Sequence, residues 1–583
     1  MARCKLAQYA QPQNDFSTGS RTFQVCFAVL KIIFRPSMHA NLLTPITVFS
    51  SRSSFIRKEI YQLLAINYFY LMDLEILARI QFAFTVAFHY IYPPMTMGLG
   101  LMLVLMEGTY LATGNRLYHR LAHFWTRIFA VIFSIGTATG IVMEFEFGTN
   151  WATYSRFVGD IFGSALAAEG IFAFMLEAGF LSLLLFGWDK VGKKMHFFAT
   201  CMVCLGSHFS AIWIVIANSW MQTPAGYHLE VTRSGVASSL PVDYILQKAD
   251  IGHVRAVIDS FWGMVFNPSS MERLAHVVFA TWLTGAFLVI SISAYYLIQG
   301  RYRRFSKASM TIAVFLAAFA TICQMVSADA TARGVARNQP IKLAAMEGVY
   351  KTKDYTPMNL FGVVNATTQQ VYSLQIPGLL SFLIYHDFKT PVPGLDQLPS
   401  EEFLTLRNPG KSPEELVALR PQYWPQVAAI FQTYHLMIIV GSLLFGLAFG
   451  SLFLLRKGLL FRTDRMFIRL WLFLLIFSVI GAHLCNQAGW FTAEMGRQPW
   501  IVYNILRTSE AVSKVVSADQ VLGSLFLFFA IYALLFFAFL YLLNRKIQHG
   551  PNDLGEDPQE PKDDRQSFLH NLIVGSDSER ASF

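Results

Sequence analysis

Long apolar runs recur along the chain, separated by short polar stretches. Nine segments lie near 80–106, 122–146, 161–187, 196–218, 275–299, 308–327, 427–455, 467–484 and 520–543. Each is long and apolar enough to cross a hydrocarbon core about 30 Å thick. Unpaired backbone groups cannot be left in lipid, so the pattern predicts helices rather than open strands. The fold class is therefore all-α: a polytopic membrane bundle of nine transmembrane helices with one long outer loop. The expected divisions are helices 1–6 within 72–327, the loop over 328–426, helices 7–9 within 427–545, and a polar tail over 546–583. The loop carries ten prolines, which oppose another uninterrupted span there. No internal repeat is evident.

Basic residues mark alternate connections. The 1–2 connection has Arg116 and Arg120, and the 3–4 connection has Lys190, Lys193 and Lys194. The 5–6 connection has Arg301, Arg303, Arg304 and Lys307, and the 7–8 connection has Arg456, Lys457, Arg462 and Arg465. Arg545 and Lys546 follow the last span. Short basic connections stay in the cytoplasm. The bundle is thus expected to begin outside and to end with its C-terminus in the cytoplasm.

Composition narrows the class. Of 583 residues, 54% are hydrophobic and 14% charged, against about 25% charged in soluble domains. That excludes an ordinary soluble enzyme, a disordered chain and a small disulfide scaffold. The net charge is +9, with 46 Lys and Arg against 37 Asp and Glu. Residues 1–71 hold eight basic and two acidic residues, so most of the excess sits there. Basic membrane loops explain the rest, and no nucleic-acid partner is expected. The basic segment 1–71 should resist export, and its apolar stretch at 22–34 is too short to span. We expect the natural chain to start at or near Met72, leaving 1–71 as an extension outside the functional chain. Cys201 and Cys204 form a CxxC inside an apolar run with no second pair, and read as packing residues.

Polar groups inside the spans carry the candidate chemistry, because lipid excludes them unless they face a cavity or a partner. Span 3 holds Glu169 and Glu177. On a regular helix, eight residues separate them by about 12 Å and about 80° of rotation, which suits either a stepped proton relay or paired structural glutamates. Span 1 carries His89 just before Pro93-Pro94, which kink the helix and open room beside the imidazole. His276 lies near the outer end of span 5, and His435 and Met437 near that of span 7. His and Met are axial donors to haem iron, although a lone buried His or Met also serves packing. After span 8, Glu494 and Arg497 sit between Trp490 and Trp500 in a Gly- and Pro-shaped segment, which reads as a rigid polar site at the outer surface.

The order of four motifs resembles subunit I of the cytochrome bd family of quinol oxidases, over about Met72 to 545. They are Arg79-Ile80-Gln81-Phe82-Ala83 before His89, Met143-Glu144-Phe145-Glu146-Phe147-Gly148-Thr149-Asn150-Trp151, Lys342-Leu343-Ala344-Ala345-Met346-Glu347, and Gly489-Trp490-Phe491 followed by Gly496-Arg497-Gln498-Pro499-Trp500. The resemblance implies that His276 and Met437 are the axial pair of a low-spin haem b. It implies that His89 and Glu494 ligate a high-spin haem b and a haem d or further haem b. It matches Glu169, Glu177 and Ser210 to proton supply, Lys342 and Glu347 to the quinol-binding loop, and Trp490, Arg497 and Trp500 to the haem surroundings. It implies quinol and O2 as substrates and water as product. Electrons enter at the outer face and protons from the cytoplasm, which generates proton-motive force. The resemblance further implies surrounding membrane lipid, a bacterial inner-membrane location, and a second membrane subunit as partner, with room for a small single-span one.

The segment from Glu347 to Met437 is short for the family, which resembles the branch that includes cyanide-insensitive oxidases. His435 stands where many members have Arg, and Gln487 where some have Glu. From the residues alone, a proton-coupled transporter and a non-catalytic assembly subunit stay open as alternatives.

Overall fold

The structure, a computed structural model, describes residues 73–233, 236–239 and 253–551. The expected extension over 1–71 and most of the expected tail lie outside these. Among the described residues, nine helical stretches are long and apolar enough to span a membrane. They fall on the nine predicted segments, and most run several residues past them at one or both ends.

Span 1 is two helices, α1 (Leu74–His89) and α2 (Tyr92–Thr113). The break falls directly after His89, and prolines occupy the first turn of α2, where a missing N–H costs no helical bond. Span 2 is α3 (Arg116–Thr149). Span 3 joins α4 (Gly159–Glu169) to α5 (Met175–Phe186) through a π-helical turn, Gly170–Phe174. Spans 4, 5 and 6 are α6 (Lys193–Gln222), α7 (Ser270–Ile298) and α8 (Arg303–Asn338). The last of these carries the helix past residue 327, so 328–338 belong to span 6 and the loop is shorter than its expected bounds.

Between spans 4 and 5, strands β1 (Tyr227–Arg233), β2 (Val236–Ser239) and β3 (Val254–Ile258) form an antiparallel sheet in the order β2-β1-β3. The long loop folds as α9 (Pro340–Glu347), the hairpin β4 (Met358–Asn365) and β5 (Gln370–Ile376), and a short helix α10 (Leu379–Tyr385). Gly348 ends α9 at φ 66, and a β-carbon there would come within 2.9 Å of Val371 on β5. Span 7 is α11 (Val427–Arg456). Span 8 joins α12 (Met466–Ile476) to α13 (Ser478–Met495), and span 9 is α14 (Ala518–His549).

The bundle centres on α7, which packs on α2, α6, α8, α12 and α13. Apolar surface gives no net drive for helix association in lipid, so close approach of small residues matters more. Gly98 on α2 and Gly285 on α7 supply it: a β-carbon on either would collide with the other's backbone. Around that crossing lies a core that includes Leu99, Met102, Trp125, Phe129, Phe287 and Ile290. By contrast, Ile171, Phe172, Phe174, Met175 and Phe186 of span 3 are exposed, as a surface facing lipid or another subunit requires.

Candidate functional site

A cavity of about 530 Å³ opens among α7, α8, α11 and α13, within the roughly 300–1,000 Å³ range of cofactor sites. His276 of α7 and Met437 of α11 both line it, with Gly441, Gly489 and Trp490. Gln324 and Ser327 of α8 hold the His276 ring: the Gln324 amide nitrogen is 3.0 and 3.2 Å from the two ring nitrogens, and Ser327 Oγ is 3.3 Å from Nδ1. A β-carbon at Gly489 would lie 3.0 Å from the Met437 sulfur, so glycine there leaves the thioether its position.

Glu494 directly follows Ala493, which lines the cavity. Its Oε1 accepts from Asn218 Nδ2 at 3.1 Å and Gln222 Nε2 at 3.2 Å, both from the end of α6. Its Oε2 pairs with Arg497 Nη2 at 2.7 Å. Arg497 also donates from Nε to the Trp500 carbonyl at 3.2 Å, while its buried Nη1 has no hydrogen-bond partner. Arg273 donates to Asn218 Oδ1 at 2.6 Å and Ser219 Oγ at 3.1 Å, and lies over the Trp490 ring. Trp490 in turn meets Tyr90 edge-on at 5.3 Å between ring centroids. Trp500 turns the other way. Its ring sits in a loop cluster with Leu404, Leu416 and Tyr423, beneath the guanidinium groups of Arg407 and Arg507.

His89 faces α3. Its Nδ1 meets Thr139 Oγ1 at 3.0 Å, and a β-carbon at Gly140 would stand 3.2 Å from its ring. A bond on one ring nitrogen sets the orientation in which the other is presented. On span 3, the π turn replaces the regular helical spacing expected between the two carboxylates. Both then reach the same neighbour: Ser210 donates to Glu169 Oε1 and Ser207 to Glu177 Oε1, each at 2.5 Å. Ser207 and Ser210 are one turn apart on α6. Gly206 lets the helices approach, since a β-carbon there would lie 2.9 Å from Glu177 Cβ.

Lys342 and Glu347 share α9 but do not meet. Five residues turn a helix by about 500°, so the side chains diverge. Lys342 donates to Gln222 Oε1 at 2.5 Å and Gln339 Oε1 at 2.6 Å. Burial pushes its pKa well below the usual lysine range; Arg273 and Arg497 add to this and Glu494 opposes it. Glu347 turns toward Tyr434 and the Asn359 backbone, which hydrogen-bond its carboxylate. Burial dominates and raises its pKa to about 7, and Oε2 has no partner. His435 lies nearby, with Nδ1 at 2.8 Å from the Phe431 carbonyl and Nε2 at 2.9 Å from that of Asn359.

Several polar residues here were not singled out by sequence. Asn218, Gln222, Gln339 and Arg273 join the pieces around Glu494 and Lys342. Glu146, which stands in a motif quoted above but was given no role there, is buried, accepting from Thr85 at 2.6 Å, with its other oxygen unpartnered. Toward the opposite end of the bundle, Glu107 bonds His196 Nδ1 at 2.6 Å and Thr200 Oγ1 at 2.5 Å. Among the described residues, no three His, Cys, Asp or Glu side chains are arranged to hold a bare metal ion, and Cys201 and Cys204 are free thiols.

Fold and site together define a polytopic helical membrane protein with a cofactor-sized cavity and buried ionisable groups. The family model of cytochrome bd terminal oxidase subunit I matches residues 77–551, and the chain belongs to that family. It is 34% identical over 526 residues to the cytochrome bd-II ubiquinol oxidase subunit 1 of Escherichia coli, covering 82% of this chain and 97% of that one. It is 33% identical over 477 residues to the cytochrome bd ubiquinol oxidase subunit 1 of Bacillus subtilis, covering 82% and 94%. The bd oxidase structure from Geobacillus thermodenitrificans superposes with a TM-score of 0.68 at 26% identity, covering 82% of this chain and 99% of that one. Family membership sets aside the transporter and assembly-subunit readings.

Proposed function

We propose that this chain is the haem-bearing subunit of a bacterial inner-membrane terminal oxidase. It oxidises quinol at its outer face and reduces O2 to water with protons drawn from the cytoplasm. The relatives' names as ubiquinol oxidases support the substrate. The observation that carries the reading is His276 and Met437 lining one cavity of about 530 Å³.

The residues present fit haem. A His and a Met share the cavity, and the buried, unpartnered Nη1 of Arg497 suits a propionate carboxylate. His276 and Met437 would hold a low-spin haem b. His89 and Glu494 would ligate a high-spin haem b and a haem d or further haem b, with Trp490 and Arg497 beside them. When bound, haem supplies the electron transfer and the oxygen reduction.

The chain's own residues handle binding and protons. Glu347 accepts a proton from quinol at its unpartnered Oε2, while Lys342 stays fixed by Gln222 and Gln339 and holds the end of α6 against α9. Ser207 and Ser210 orient Glu177 and Glu169, which pass protons along α6 from the cytoplasmic side toward the haem region. Basic connections keep the other end of the bundle cytoplasmic. Protons released at one face and consumed from the other generate proton-motive force. The exposed apolar surface of span 3 fits the second membrane subunit with which the family works.

Proteoliposomes of the two-subunit complex test this. With quinol and O2, the reading predicts acidification on the face of the long loop and two quinols oxidised per O2. Acidification on the opposite face would reverse the orientation, and no oxygen uptake with any quinol would overturn the activity.

A further inference from the structure

The hairpin β4–β5 presents its large apolar residues outward. Phe361 pairs with Leu374 and Val363 with Tyr372 across the antiparallel register, with Met358 opposite Ile376. Phe361, Val363, Tyr372, Leu374 and Ile376 are between 41% and 64% exposed. The inward face is smaller and more polar: Val364 is buried, and Gly362 and Ser373 are half-buried. A sheet with one wet face places apolar residues inside and polar ones outside; this hairpin inverts that order.

Its position supplies the reason. The Gly362 carbonyl accepts from Gln432 Nε2 at 2.8 Å, and the Asn359 carbonyl lies 2.9 Å from His435 Nε2. Those residues are six and nine places into α11, roughly 8–12 Å along the helix from its first residue. The hairpin therefore lies beside span 7, not above it. Gln432 also begins an exposed stripe on α11 that continues through Leu436, Ile439 and Leu443 at helical spacing. Residues 355–385 contain no Asp, Glu, Lys or Arg; Lys351, Lys353 and Asp354 precede them, and Asp387 and Lys389 follow. The turn, Asn365-Ala366-Thr367-Thr368-Gln369, is polar.

We infer that β4–β5 lies flat in the outer membrane interface, with its apolar face in contact with phospholipid acyl chains and its polar turn among the headgroups. The apolar face continues the exposed apolar stripe of span 7, and charge returns only at the two edges of the segment, where long lysine side chains reach the headgroups. A charge-free, apolar sheet face beside a membrane helix is what a lipid neighbour requires and what water disfavours.

Photocrosslinking distinguishes the occupants. The complete oxidase complex, in nanodiscs of phosphatidylethanolamine and phosphatidylglycerol, would carry p-benzoylphenylalanine at Phe361 or Tyr372. Leu443 serves as a lipid-facing reference and Thr368 as the reference in the turn. The inference predicts phospholipid adducts at 361 and 372 at a yield comparable to 443 and several-fold above 368. Crosslinks to another subunit or to a second copy overturn it, as do lipid yields no higher than at 368. Hydroxyl-radical footprinting of the unsubstituted complex in the same nanodiscs gives a second readout. Phe361 and Tyr372 should be as protected as Leu443 side chains in the span; oxidation at solvent-exposed rates would contradict the inference.

Discussion

Glu347 shows how a single buried residue sets a pH response. Its carboxyl is raised to about 7 by burial, so its basic form grows as pH rises through that value. If it takes the quinol proton, kcat/KM for quinol should climb with pH through an inflection near 7. Glu347→Gln should remove the inflection and lower kcat/KM by about 10²–10⁴, the usual contribution of a positioned acid–base group. An unchanged inflection in that variant would assign the proton to another group. At this scale, the sequence exposes ionisable and sulfur-bearing residues within apolar runs, and His89, His276, Met437, Glu169 and Glu177 stood out for that reason. Asn218, Gln222 and Gln339 did not, because a neutral amide near a helix end carries no such signal. Glu107 and His196 are 89 positions apart, and only the fold brings them together.

Elements control where these groups point. The π turn at Gly170–Phe174 lies between Glu169 and Glu177, and both carboxylates meet serines of one neighbouring helix. Inserting one alanine after Met175, in the regular helix beyond the turn, should rotate Glu169 by about 100° relative to Glu177. Turnover should then fall at least several-fold, while the haem spectrum of the assembled complex is kept. Undiminished turnover would show that the shared alignment on α6 is dispensable. The α2–α7 crossing depends on Gly98 and Gly285 in backbone contact. Gly285→Val should cost about 1–3 kcal/mol by overpacking, read as a lower midpoint for thermal loss of the folded complex; an unchanged midpoint would mean the crossing has slack. Hydropathy revealed every span, because apolar length is written locally. The π turn was not legible, since its sequence is ordinary helix-forming material, and the β4–β5 hairpin was hidden in what read as a proline-rich loop.

At the largest scale, the nine spans among the described residues gather three kinds of site around one bundle. The cavity with His276 and Met437 lies next to the polar cluster of Glu494, Arg273 and Arg497, and α9 closes over both. The carboxylates of span 3 line α6, whose other end reaches Lys342 through Gln222. On the proposed function, this continuity would let one chain receive electrons near the long loop and draw protons along the bundle. The proposed electron path depends on His276 and Met437 holding a low-spin haem. The most direct measurement is the dithionite-reduced-minus-oxidised absorption spectrum of the purified complex and its His276→Ala variant. Low-spin and high-spin haem bands are expected in the wild type, with the low-spin band alone lost in the variant. A low-spin band that survives unchanged, or a colourless wild-type complex produced with haem in excess, would contradict it.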